Sequence, residues 1–281
     1  MSDDQVELQA YNGQQRLLNP KKLGSTSSLS STSKYLNDPR LRHWVSMETL
    51  RRNGLDLDHY GAALEIIDIF RELDDIDRIN ELFAEARKRD PELDRWFEER
   101  YLVPHDLDAL SDLPQGTLGR EYQKMMAEQG LQADFLPFES TATDYDYWMR
   151  RTSQTHDIEH VVSGYRYDPL GEFGLIALRN TQIIDRMGLE LAEHLIVVAN
   201  LLVSSALGRF ACHYPKLVMP MYRALGEGER IGRTMTTPIY TPRYEEMFDW
   251  PVAKVREHLG VTHSEAFEDT AWTLGEYFDA A

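Results

Sequence analysis

The chain has a single cysteine, Cys212, among 281 residues. That excludes an intramolecular disulfide and any zinc site built on cysteines, and a reducing compartment is the natural setting. Cys212 lies in an apolar run and reads as a small core residue. Strand-like alternation is nearly absent, and no internal repeat is visible. The N-terminus, MSDDQVE, lacks the basic start and apolar stretch of a secretory signal, and its acids do not suit a transit peptide. A membrane span needs about 20 apolar residues. The one candidate, Leu195 to Leu207, is interrupted by Asn200, Ser204 and Ser205, and it reads as a buried core helix. Positive charge is scarce as well: 30 Lys and Arg face 47 Asp and Glu, a net charge of −17. This balance argues against nucleic acid as a partner and against broad adhesion to anionic membranes. It leaves hydrophobic docking on a membrane open.

What is present is a globular composition with a helical pattern. Residues 1–38 are polar, with a serine-rich run from Ser25 to Ser33, and read as a flexible tail. Residues 39–265 read as one helical domain, and 266–281 as an acidic tail. Trp44, Met47, Leu50 and Arg51 recur at helix spacing, then Leu64, Ile67, Ile69 and Phe70, then Ile76, Ile79, Leu82 and Phe83. These stripes can pack within the chain or between two copies, so a homodimer is open. Asp90-Pro91 starts a further helix that Pro104 breaks. Helices are expected from Leu118 to Met126, from Tyr145 to Val162 with Gly164 as the stop, from Glu172 to Met187 after a turn at Asp168–Gly171, and from Leu189 to Ala211. Pro215, Pro220, Gly226, Gly228 and Gly232 read as punctuation, before a last helix from Val252 to Leu259. The fold class is all-α.

The chemistry concentrates in Thr155-His156-Asp157-Ile158-Glu159-His160 and Gly171-Glu172. Histidines four apart on a helix have Cβ atoms about 5–6 Å apart on one face, within reach of one metal. Asp157, about 100° further round, can join such a site or orient an imidazole. Glu172 follows a turn that lets the next helix come back beside the first. Two imidazoles with one or two carboxylates suit zinc, and also iron(II) or manganese. A metalloprotease would need glutamate where Asp157 stands. His105-Asp106 beside Pro104 is a weak match to the ligands of His-Asp phosphohydrolases. Gly226, Gly228 and Gly232 do not open a strand–helix unit, so they form no nucleotide fingerprint.

His-Asp-x-x-His, eleven residues and then Gly-Glu resembles the signature of the coenzyme Q (ubiquinone) biosynthesis protein 4 family. Leu113-Pro114-Gln115-Gly116-Thr117-Leu118-Gly119 and Tyr122 are similar to a second family segment, and the likeness spans about residues 90–260. The resemblance implies a single helical domain with a metal beside an apolar inter-helix cavity. It places His156, Asp157, His160 and Glu172 at the metal-ligand positions, and with them the catalytic role. It implies work on a polyprenylated hydroxybenzoate, whose carboxyl is replaced by hydroxyl. It also implies a role in organising other ubiquinone-biosynthesis enzymes at a membrane surface. A cytoplasmic protein, peripheral on the inner face of the cell membrane, is the expected location. A prenyl tail needs an apolar groove, for which Leu195, Val198, Leu202 and Leu207 are candidates. Arg120 and Lys124 share a helix face and could hold the substrate carboxylate, although solvated surface charge is the plainer reading of both.

Overall fold

The computed structural model describes residues 31, 33–52, 59–133 and 140–262, with side chains omitted for 59–65. Most of the two expected tails lies outside these residues, although Lys34–Asn37 (α1), within the first, forms a helical turn capped by Ser33. Then come α2 (Pro39–Leu50), α3 (His59–Leu73), α4 (Ile76–Arg89), α5 (Pro91–Glu99) and α6 (Leu107–Leu110). They are followed by α7 (Leu118–Gln129), α8 (Asp144–Ser163), α9 (Pro169–Met187), α10 (Leu189–His213), α11 (Val218–Thr234) and α12 (Val252–Leu259). The only β pairing among the described residues is one isolated bridge, Thr117 with Pro251. The all-α expectation holds.

The helices start and stop where local chemistry directs. Asp90 accepts from the Glu92 and Leu93 amides, with Pro91 at the first helical position. Thr143 and Asp146 cap α8 reciprocally. Gly130, Gly164 and Gly260 close α7, α8 and α12 in the left-handed conformation. The Gly-Thr-Leu-Gly segment has a structural use. The Leu118 and Gly119 amides at the start of α7 donate to the Trp250 and Phe248 carbonyls, at 2.8 and 2.9 Å. A Cβ on Gly119 would stand 2.7 Å from the Leu113 side chain.

Two expectations need correcting. Residues 168–171 are the first turn of α9, with Asp168 as cap and Pro169 at its start. The chain reverses one step earlier, between Gly164 and Asp168. Residues 218–234, expected to be broken by glycine and proline, form the unbroken helix α11. Its glycines are packing positions: a Cβ on Gly228 would sit 2.1 Å from the Gly174 carbonyl oxygen, and one on Gly232 would sit 2.7 Å from that of Leu178. Backbone meets backbone between α9 and α11, which run parallel.

α10 also departs from the sequence reading. At 25 residues, with an 18-residue stretch of mean hydropathy 1.8, it is long and apolar enough to cross a membrane, yet only 22% of that stretch is buried. Val197, Val198, Leu201 and Leu202 pack against the small core of Leu41, Trp44, Ile66, Ile69 and Phe70 from α2 and α3. Leu195, Ile196, Val203 and Leu207 lean on the main core. Asn200 and Ser204 form the exposed stripe between these flanks. Cys212 is exposed at the helix end and is no core residue.

A buried ion cluster ties α2 to α10. The Glu48 carboxylate receives Arg51 at 2.7 Å and Arg209 at 3.2 Å. Glu48→Ala leaves both guanidiniums without this carboxylate, and it is expected to cost about 3–5 kcal/mol in urea denaturation. A loss under 1 kcal/mol would show that the cluster is solvated.

Candidate metal centre

The C-terminal half of α8 faces the first turn of α9, and both are fixed from outside. Arg151, fully buried, donates to both Glu245 carboxylate oxygens and to the Pro242 carbonyl. This anchors the middle of α8 to the segment before α12. Arg256 of α12 donates to the Val161 and Val162 carbonyls, which holds the last turn. On the other side, Gly171 lets the 164–168 reversal close tightly: a Cβ there would fall 1.8 Å from the Arg166 carbonyl oxygen. Gly174 is filled in the same way by the Tyr165 ring. The glycine before Glu172 is thus required by close backbone approach, and that approach delivers Glu172 to α8.

Three side chains converge. Donor atoms of His156, His160 and Glu172 all lie within 4.8 Å of one another. His160 Nε2 is 3.1 Å from Glu172 Oε1, and His156 Nε2 is 3.4 Å from Glu172 Oε2. The two imidazoles stand 4.9 Å apart, nearly perpendicular. Both Nδ1 atoms face acceptors: that of His160 donates to the Tyr165 carbonyl at 3.1 Å, and that of His156 faces Asp157 Oδ1 at 3.2 Å. Asp157 Oδ1 thus stands at the far ring nitrogen of His156, outside the three converging donors. The Tyr165 carbonyl and the Tyr167 ring, 5.3 Å from His160, carried no sequence signal of their own. Their role comes from the reversal.

The donor set fits a divalent metal on its own geometry. Each imidazole lies between two oxygen acceptors, one at each ring nitrogen. Without a metal, each would need both protons to satisfy its neighbours, which puts two cations side by side. A cation between the two Nε2 atoms and Glu172 satisfies all of them, with Nδ1–H fixed on the far side of each ring.

The electrostatics agree. Burial opposes a charge on His156, but Glu172 and Asp157 outweigh it and push the imidazole up to about 10. Burial likewise opposes charge on Glu172, yet the two histidines hold its carboxyl well below the usual range. A histidine raised on folding stabilises fully below its unfolded value near 6.5, and that contribution is lost as pH rises through about 10. A depressed carboxylate stabilises above its ordinary range, and that contribution is lost as pH falls. Metal-free protein is therefore expected to lose thermal stability steadily from pH 6.5 to 10, whereas metal-loaded protein holds it. Parallel melting curves for the two forms would contradict this.

The other candidates lie elsewhere. Arg120 donates to the Ser111 carbonyl and to Gln123, and Lys124 faces Glu128 on the exposed side of α7. His105 is tied to Tyr122 and Glu245, and Asp106 caps α6. A cleft of about 300 Å³ opens between α9, α10 and α11. Ile176, Ile184, Val203 and Leu225 give it apolar walls, and Asn180 and Asn200 are hydrogen-bonded to each other in its lining. None of the four leucine and valine candidates of α10 lines this cleft. A second cleft, of about 270 Å³, includes Arg151, Arg186 and Arg243, each paired with an acid.

Fold and site together define an all-α protein with a two-histidine, one-glutamate cluster at a helix reversal. Residues 87–265 match the family described as coenzyme Q (ubiquinone) biosynthesis protein Coq4, and the chain belongs to this family. The fold is similar to a crystal structure of a Nostoc punctiforme protein provisionally assigned to ubiquinone biosynthesis. The TM-score is 0.60 at 23% identity, covering 90% of this chain and 99% of that one. No protein of curated function matches the sequence.

Proposed function

We propose that this protein is a metal-dependent enzyme of ubiquinone biosynthesis, which replaces the carboxyl group of a polyprenylated hydroxybenzoate with a hydroxyl. The observation that carries the reading is the pair of imidazoles turned by Asp157 and the Tyr165 carbonyl so that both Nε2 atoms face Glu172. Zinc suits these ligands, and iron(II) or manganese do also. A bound divalent metal would supply Lewis acidity toward the substrate carboxylate and the neighbouring ring oxygen. In the overall change the ring-to-carboxyl bond breaks, carbon dioxide leaves and a C–OH bond forms at the same carbon. The change balances with water as the source of the hydroxyl oxygen and dioxygen as the external oxidant, which takes the two electrons and two protons and leaves as hydrogen peroxide.

The chain's own residues do the positioning. Ile176, one turn after Glu172, is the first residue of α9 that lines the cleft, so the cleft begins about one helical turn from the cluster. A prenyl tail laid against Ile176, Val203 and Leu225 would bring its ring toward the Glu172 end. The test is incubation of metal-loaded protein with a short-chain prenylated hydroxybenzoate in air, followed by mass spectrometry. The expected product has lost carbon dioxide and gained a hydroxyl. Unchanged substrate with stoichiometric metal present would sink the reading.

A second reading is a lipid-binding organiser of other ubiquinone-biosynthesis enzymes at a membrane, with a structural metal. The half-buried, membrane-length α10 favours it. On this reading, changes at the ligands lower stability first, because structural metal binding is folding energy.

A further inference from the structure

The acid excess of the chain is not evenly spread. Residues 194–226 contain no aspartate or glutamate, in a chain that has 47. This acid-free stretch covers most of α10 and the first half of α11, and it carries Arg209, Lys216 and Arg223. Arg209 is buried against Glu48; Lys216 and Arg223 are exposed.

The same region gathers exposed apolar side chains. Met219 is 60% exposed and Tyr222 50%, on the outward face of the first turns of α11. Lys216, Met219 and Arg223 follow at steps of three and four, so cations flank the apolar pair along that face. Leu50, 68% exposed, ends α2 beside the last turns of α10, where Thr49 meets Gly208 and Glu48 meets Arg209. Cys212 and His213 complete the exposed corner.

Helix register places this corner relative to the cluster. Gly228 of α11 is level with Gly174 of α9, and Gly232 with Leu178. With α9 and α11 parallel, Met219 to Arg223 extend past the start of α9 at Pro169. Phe173, one residue from Glu172, packs on Phe210 near the end of α10. The corner and the cluster are therefore at the same end of the bundle.

We infer that this corner, formed by the end of α2, the end of α10 and the start of α11, docks on an anionic lipid surface and so holds the candidate metal cluster at the membrane side of the molecule. The inference deepens the proposed work on a prenylated lipid, whose tail would then leave the bilayer at the end where the ring is needed. Charge complementarity chooses the partner. An acidic chain meets anionic headgroups at least cost where it presents cations and no acids, as the stretch 194–226 does. A tyrosine beside an aliphatic side chain suits the headgroup boundary.

The single native cysteine supplies the probe. An environment-sensitive fluorophore on Cys212 is expected to shift to the blue with vesicles containing phosphatidylserine, and far less with phosphatidylcholine alone. Lys216→Glu with Arg223→Glu is expected to weaken vesicle binding at least about tenfold, since each basic residue at an anionic surface contributes several-fold. Met219→Asp with Tyr222→Asp should do the same. Metal content, measured on the same samples, should not change, which separates this test from that of the cluster. Binding that ignores lipid charge, or vesicles that pellet the protein with no response at Cys212, would overturn the inference. So would a dimer that these substitutions dissociate while vesicles pellet nothing, because the corner would then be covered by a second copy.

Discussion

Gly228→Val is expected to yield no folded protein, and Gly228→Ala to lose about 3 kcal/mol or more in denaturant unfolding. The magnitude follows from what the new atom meets. A Cβ at Gly228 would lie 2.1 Å from the Gly174 carbonyl oxygen and 3.0 Å from Ala177. Overpacking of side chains typically costs about 1–3 kcal/mol because rotamers give way. Here the obstacle is backbone, so α9 and α11 must separate along their length. The control is in the same helix: Gly226 has nothing within 4 Å of its would-be Cβ. Gly226→Ala should gain about 0.5–1 kcal/mol from helix propensity alone. Equal effects at the two positions would show that α9 and α11 do not pack this closely.

The second large effect distinguishes a ligand from the residue that orients one. Glu172→Gln keeps the shape of the side chain but removes the charge that both imidazoles face. Metal affinity is expected to fall by about a thousandfold or more, and turnover to vanish with it. Asp157→Asn removes only the acceptor that steadies His156 Nδ1. Loss of such a partner typically costs about 10–100-fold. Metal titration of the two variants beside the wild type decides between these roles. A loss at Asp157 equal to that at Glu172 would make Asp157 a ligand after all.

The candidate centre was legible because its information is local. Histidines four apart on a helix that Gly164 ends, and a glutamate just beyond a reversal, need only helix geometry to be brought together. Several helix boundaries were legible for the same reason: Asp90, Gly130 and Gly164 act through their own turns. What stayed hidden depends on partners distant in sequence. Gly228 and Gly232 carry the composition of a loop, and only the neighbouring backbone of α9 shows that their missing side chains are what lets α11 pack there. α10 is apolar on nearly every face, so its pattern could not say that α2 and α3 cover one flank, the main core another, and that Cys212 is left outside. The same ambiguity made Leu195, Val198, Leu202 and Leu207 groove candidates, whereas the α10 residues that line the cleft of about 300 Å³ are Asn200 and Val203.

The measurement that bears most directly on the candidate centre is elemental analysis of purified protein, wild type beside His160→Ala. His160 is buried, with one ring nitrogen on the Tyr165 carbonyl and the other directed at Glu172. About one equivalent of zinc, iron or manganese is expected in the wild type, and none in the variant. Wild-type protein that carries no metal and takes up none when each is supplied would contradict the centre and the enzymatic reading built on it.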